Sequence, residues 1–331
     1  MSTPSLALIP SGYKASKLYS QLPINGDGDL NVVRSTVATR VNEQGEIEEM
    51  GVNVPRLDYT DGGCPVLLVE ESRKNIFLNS TIGATQTITV VSGVDYAVSF
   101  SGTGSITFSG GTSGTLNGTG STASDRVSQI LTTSSTSVTC TISGIVEYVN
   151  FEINTDNSSV SYSTSWIETN GTIETRAADN ISKGNLQNYI NSQEGVLYVE
   201  MSALANDGIN KQISLSDGSS LTNKIALIYT TTSNQIQAFV RASSSISFNV
   251  SVILSDITNY NKIALKYKQN DFSLWVNGVE VGTGTSGNTP INLSELDFDN
   301  AGGGDNFQGK VKDLQVYTTA LTDQELTDLT S

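Results

Sequence analysis

One stretch, residues 261–282 (NKIALKYKQNDFSLWVNGVEVG), constrains the fold of this chain more than any other. Ile263, Leu265 and Tyr267 alternate with Ala264, Lys266 and Lys268, the period of a half-buried strand. Gln269-Asn270-Asp271 is turn chemistry. Phe272, Leu274 and Val276 then alternate with Ser273, Trp275 and Asn277. Asn277-Gly278 is the dipeptide favoured in a two-residue hairpin turn, where both central residues need positive φ. Val279 and Val281 continue into a third strand. A meander of three short strands must cover its apolar face with a second sheet. The class is therefore all-β.

The same pattern recurs along most of the chain. Residues 85–91, 96–100, 105–108, 127–131, 137–142 and 147–153 read as short strands with glycines between them. They predict a small β-sandwich over residues 79–158. Residues 196–201, 211–215, 224–230, 235–241, 247–252, 291–298 and 308–317 join the meander in a larger sandwich over residues 159–331. Helical signal is confined to residues 184–191 and to the tail. There Thr322 with Glu325 makes a capping box, and Leu326 and Leu329 share one face.

Residues 1–78 read differently. Pro4, Pro10, Pro23, Pro55 and Pro65 argue against regular helices or central strands. Strands are expected only at 37–41, 45–48 and 65–69. The stretch reads as an irregular segment that lies against something larger, because it cannot bury enough surface alone.

Several chemistries are excluded or disfavoured. The formal net charge is −15, with 33 acids against 18 bases, so neither nucleic acid nor an anionic bilayer is an expected partner. There is no histidine, which removes Ser-His-Asp and Cys-His catalysis and zinc–histidine sites together. Cys64 and Cys140 are expected as two buried thiols. No apolar run approaches the roughly 20 residues of a membrane span, and the N-terminus does not read as a secretory signal. Asn25-Gly26-Asp27-Gly28-Asp29 suggests a calcium loop, but Leu30 and Thr36 stand where the template needs Gly and Glu. A plain turn is expected there, with no metal and no cofactor.

The last domain resembles the concanavalin A-like, laminin-G-like jelly rolls. The resemblance rests on Leu274-Trp275-Val276-Asn277-Gly278, on Phe307-Gln308-Gly309-Lys310-Val311, and on Leu321-Thr322-Asp323-Gln324-Glu325-Leu326. The front of the chain resembles bacteriophage virion proteins of the tail-fibre and head-fibre type. The stretches that carry this are Gly12 to Tyr19, Arg34 to Asn42, Asn53-Val54-Pro55-Arg56-Leu57-Asp58-Tyr59, Cys64 to Glu70, and Thr175-Arg176-Ala177-Ala178-Asp179. The resemblance implies a non-enzymatic structural protein on the virion surface. It also implies a homo-oligomer that contacts capsid or tail proteins through residues 1–78 and displays a lectin-like domain to host-surface glycan.

Glycosidases on this jelly roll carry a strand motif Glu-x-Asp-x-Glu. Here Glu295-Leu296-Asp297-Phe298-Asp299 places three acids on one strand face, with the shorter Asp299 at the third position. A glycan-degrading hydrolase is thus the alternative to binding. Glu295, Asp297 and Asp299, with Asp305 and Asn306 in the following glycine-rich loop, are the candidate glycan-binding residues. Trp275 is expected in the core. Trp166 is expected to pin the two β units together.

Overall fold

The computed structural model describes residues 2–219 and 221–331. They form two compact units from interleaved segments. The first takes Met1–Val33, Val66–Val69 and Asn180–Ser331, and the second takes Arg34–Pro65 and Glu70–Asp179.

The first unit is a two-sheet jelly roll. One sheet has nine strands, in the order Tyr13–Lys14, Lys17–Leu18, Leu30–Val33, Asn180–Lys183, Glu295–Asp297, Lys211–Ser216, Lys224–Tyr229, Gln235–Ala242 and Ser245–Ile253. The other runs Val279–Gly284, Asp271–Val276, Asn261–Lys268, Glu194–Ala203 and Gly309–Tyr317. Leu6–Leu8 and Val66–Val69 both pair with Gly309–Tyr317, at its two ends. Alternation decides what each sheet buries. From the nine-stranded sheet Ile213, Leu215, Ile225, Leu227, Ala238, Val240 and Leu296 are fully buried, and Leu197, Val199, Ile263, Leu265 and Leu274 are their counterparts in the other sheet. Tyr229 Oη donates to the Met201 carbonyl at 3.1 Å, tying one sheet to the other inside the core.

The meander is the one expected. Asn277 and Gly278 have φ of 48° and 84°, the left-handed pair that a tight hairpin needs. Trp275 is buried, as expected, but on the outer side of its sheet. The C-terminal helix Asp323–Thr330 covers it there, packing Leu326 and Leu329 with Tyr198, Ala264 and Tyr317. The Thr322 backbone N–H, and then Ser2, hold the Glu325 carboxyl down to about 2, so the capping box also fastens residue 2.

Residues 1–78 are not the separate irregular segment expected from their prolines. Leu6–Leu8, Leu30–Val33 and Val66–Val69 are paired strands of the jelly roll, and residues 34–65 belong to the second unit. The prolines punctuate strands instead of interrupting them. Pro4 and Pro10 flank Leu6–Leu8, Pro55 precedes Arg56–Asp58, and Pro65 precedes Val66–Val69. Proline is tolerated at a strand's first residue or just outside it. The boundary expected at 158/159 also moves, because residues 159–179 complete the second unit. Residues 184–191 form a single turn and not a helix, with the Tyr189 and Ile190 N–H groups donating to the Leu186 carbonyl. The strand expected over 291–298 shortens to Glu295–Asp297, since Pro290 and the left-handed Asn292 (φ 57°) precede it.

The second unit is the small sandwich. One sheet orders Gln86–Thr89, Ser137–Ser143, Ser105–Gly110 and Gly114–Asn117. The other orders Val127–Thr132, Asp95–Ser101, Glu147–Asn154, Arg73–Asn75 and Glu174–Arg176. Phe77, Tyr96, Phe100, Phe108, Val138, Cys140 and Phe151 fill the space between them. Ala38–Val41 and Ile47–Met50 make a separate hairpin. Trp166 lies within this unit, its indole N–H donating to Ser80 Oγ at 3.2 Å. Cys64 is exposed, contrary to expectation, because it follows Gly62 and Gly63, both with φ near 70°, in a surface turn. Burial pushes the Cys140 thiol up to about 12.

A buried ion network holds the unit's non-sandwich part. Arg34, Arg56, Arg73 and Arg176 are all at most 2% exposed. Arg34 pairs with Asp179 at 2.8 Å and donates to the carbonyls of Thr36, Gly51 and Val54. Arg56 pairs with both Glu70 and Asp179, and Arg176 reaches Glu70 at 3.0 Å. Glu70 also accepts from the Ser165 N–H and hydroxyl. Burial alone would raise the Glu70 carboxyl, but Arg176 and Arg56 hold it far below the usual range.

Replacing one member of such a network strands its partners. Glu70→Gln is expected to cost about 3–5 kcal/mol, because two buried guanidinium groups lose a counter-charge. The contribution of Glu70 is present above its unfolded pKa of 4.5 and is lost as pH falls below it. Denaturant unfolding of parent and variant is expected to show the full gap at neutral pH and a narrowing gap below about pH 4.5.

Candidate functional site

The outward face of the nine-stranded sheet carries a group of ionisable residues that the core does not use. Register fixes which side chains share it. Glu295 stands opposite Ser216, which stands opposite Lys224, which stands opposite Arg241. Two residues along each strand the row is Ser182, Asp297, Ser214, Ala226, Phe239 and Asn249. These are the residues that alternate with Leu215, Leu296, Ile225 and Val240, so the apolar core on one side dictates the polar face on the other.

The three acids behave as alternation predicts, with Leu296 and Phe298 inward. Their strand is not at an edge but between Asn180–Lys183 and Lys211–Ser216. Asp297 is therefore only 8% exposed. Ser216 Oγ lies 3.4 Å from its carboxylate. Burial first, and then the neighbouring charges of Asp299 and Glu295, push the Asp297 carboxyl up to about 7. Glu295 fits beside Gly184 and Gly218, where an added Cβ would come within 3.6 Å and 3.5 Å of its carboxylate.

Asp305 and Asn306 join the same site through the backbone. The chain turns after Asp299, whose carbonyl accepts from Ser214 Oγ at 2.7 Å and whose carboxylate accepts from the Ala301 N–H at 2.6 Å. It returns so that the Gln212 N–H donates to the Asp305 carbonyl at 3.2 Å and Asn306 bridges Gln212. The buried Gln212 side-chain NH2 and the Asn306 side-chain oxygen have no hydrogen-bond partner.

Three residues that were not singled out in the sequence complete the face. Phe239 is half-buried, with the Lys224 ammonium 5.5 Å and the Arg241 guanidinium 5.2 Å from its ring centroid. Burial, and then the Arg241 charge, lower the Lys224 pKa. Asp299 and Asp305 act in the opposite sense from further away. The signal for these residues was present: Phe239-Val240-Arg241 alternates, which sets Phe239 and Arg241 on one face. The face is thus acidic at the Glu295–Asp297 strand and basic at the Lys224–Tyr229 and Gln235–Ala242 strands, with serine hydroxyls between. At the usual interstrand spacing of about 4.8 Å, the acids and Lys224 are separated by roughly 10 Å.

Asn25 to Asp29 form a turn. Asp27 accepts from Tyr189 Oη at 2.8 Å and Asp29 from the Ser20 N–H at 3.0 Å. Among the described residues no group of three His, Cys, Asp or Glu is arranged to hold a metal ion. A second concavity of the jelly roll, about 1100 Å³, is lined by carboxamides that include Gln187, Asn188, Asn191 and Asn292. Lys268 and Glu194 form an ion pair on its wall, at 3.1 Å.

Residues 197–327, which lie within the jelly roll, match the model of the concanavalin A-like lectin/glucanases superfamily. No curated protein matches the chain. Among solved structures, the CBM40 of the Ruminococcus gnavus IT-sialidase bound to α2,3-sialyllactose is 16% identical with a TM-score of 0.37. That match covers 43% of this chain and 84% of the other. Domain 4 of AbnA, a GH43 extracellular arabinanase from Geobacillus stearothermophilus, in complex with arabinotriose, is 14% identical with a TM-score of 0.37. It covers 46% of this chain and 73% of the other.

Asp297 provides a test of this geometry that needs no ligand. Its carboxyl rises from 3.8 in the unfolded chain to about 7, so the folded state holds the proton more tightly. The contribution of Asp297 to stability is then greatest below about pH 4 and falls as pH rises towards 7, by at most about 1.4 kcal/mol per unit. Asp297→Asn is expected to match the parent near pH 4 and to exceed it at pH 8 in urea unfolding. A variant less stable than the parent at pH 8 would contradict the burial of this carboxylate.

Proposed function

We propose that the outward face of the nine-stranded sheet binds carbohydrate. The observation that carries this reading is Phe239, an aromatic ring between two cations, on the same face as Glu295, Asp297 and Asp299. A sugar ring offers an apolar face to an aromatic side chain and a rim of hydroxyls to acceptors and donors. Here Glu295 and Asp299 accept, and Lys224 and Arg241 donate. The concanavalin A-like match over residues 197–327 supports the same reading, as a fold that hosts lectins and glycan-degrading enzymes alike.

The finer reading is a virion surface protein that displays this face to host glycan. It rests on the resemblance of the front stretches to fibre-type proteins. Modest affinity at each site is enough when many copies act together. The homo-oligomer that this requires is tested by light scattering on the full chain, because residues 1–78 contribute strands to both units and their removal would unfold both. Peptides of this chain in purified virions would support the setting.

A hydrolase remains the second reading, and one observation favours it. A carboxyl pushed up to about 7 by burial, with a second carboxyl group, Glu295, on the same strand face, has the properties of a general acid. Release of reducing sugar that is abolished by both Glu295→Gln and Asp297→Asn would establish it.

Binding is tested on a printed panel of oligosaccharides with the full chain. Phe239→Ala is expected to weaken binding at least tenfold and to leave the thermal midpoint nearly unchanged, since the ring lies outside the core. A Phe239→Ala variant that binds as well as the parent would remove the site from this face.

A further inference from the structure

We infer that the glycan bound on this face carries an anionic group, a carboxylate or a sulfate ester, and that Lys224 together with Arg241 receives it. This rests on the carbohydrate-binding reading above and specifies its ligand. Seven cationic residues are buried among the described residues: Arg34, Arg56, Arg73, Arg176, Lys211, Lys224 and Lys266. Six of them form a salt bridge with a carboxylate. Lys224, at 7% exposure, is the exception. Among the described residues it meets no ion-pair or hydrogen-bond partner, but it does face the Phe239 ring.

That arrangement is incomplete in physical terms. An ammonium withdrawn from water without a counter-charge loses more in hydration than a single cation–π contact returns. The residue directly across the strand pair is Arg241, a second positive charge, which worsens the balance. Asp299 and Asp305 favour the charge without touching it. In a chain of net charge −15, surplus carboxylates are abundant, yet none is placed on Lys224.

An anion set between Lys224 and Arg241 beside the Phe239 ring supplies the missing partner. The acids of the Glu295–Asp297 strand, roughly 10 Å away, repel that group and so fix the polarity of the ligand along the sheet. The charged end lies towards the Gln235–Ala242 strand, and hydroxyl-bearing sugar lies towards Glu295. A neutral glycan leaves Lys224 as it is and gains nothing from it. A free inorganic anion gains the two cations but not the aromatic ring or the acceptors.

Titration calorimetry on the full chain tests this, with a panel of uronate-containing and sulfated oligosaccharides. Each is paired with its neutral counterpart, the methyl ester or the unsulfated sugar, and sodium sulfate is the free-ion arm. The charged member of at least one pair is expected to bind tenfold or more tightly than its neutral partner. Lys224→Met is expected to abolish that difference without lowering the thermal midpoint, and Lys224→Arg to retain it. Equal affinity within every pair, or an unchanged preference in Lys224→Met, overturns the inference and leaves glycan binding standing. Saturable binding of sulfate alone, unaffected by Phe239→Ala, overturns it in favour of a simple ion site. If no oligosaccharide of either kind binds, the carbohydrate reading falls and this inference falls with it.

Discussion

The second unit depends on five charges that never meet water. Arg34, Glu70 and Asp179 are the residues at which the chain enters or leaves that unit, and Arg56 and Arg176 join them. Three covalently distant crossings are thereby held by one cluster. Hydrophobic packing does not supply such a fastening, because the sandwich core from Phe77 to Ile153 lies wholly to one side in sequence. A buried ion network is a poor source of net stability compared with an apolar replacement. Its value here is geometric, since only one arrangement of three strands of chain satisfies two carboxylates and three guanidinium groups at once.

The sequence revealed what is local and concealed what is distant. The meander of residues 261–284 and the capped tail helix were legible because alternation, an Asn-Gly pair and a Thr-x-x-Glu box act within a few residues. The short strands near the front were not. Leu30–Val33 finds its partner in Asn180–Lys183, and Leu6–Leu8 in Gly309–Tyr317. No periodicity within residues 1–78 encodes a partner at that separation. Proline density was misleading for a related reason, since it marks where strands begin as readily as where they are absent.

The site divides in the same way. Glu295, Asp297 and Asp299 were legible because three acids at period two, interleaved with Leu296 and Phe298, have only one way to sit on a half-buried strand. Lys224 was not, because a lysine at the start of a strand ordinarily reads as a solvated edge. Its burial comes from the neighbouring strand, where Phe239 and Arg241 close over it, and from the position of that strand pair inside a nine-stranded sheet. Whether a charge is exposed is a property of the sheet, not of the segment that carries it.

Asp297 and Lys224 meet the same penalty in opposite ways. Both are more than nine-tenths buried on the outward face, and both lack a salt bridge. The carboxyl escapes the cost by keeping its proton until about pH 7, so near neutrality it loses its charge and gains a donor. For the Lys224 ammonium, burial and then the Arg241 charge lower the pKa, while Asp305 and Asp299 favour the charged form. One end of the face can therefore adjust itself to a neutral hydroxyl, whereas the other, with no carboxylate of the described residues paired to it, gains a counter-charge from an outside group. A sheet built in this way distinguishes the two ends of a ligand before any contact is optimised.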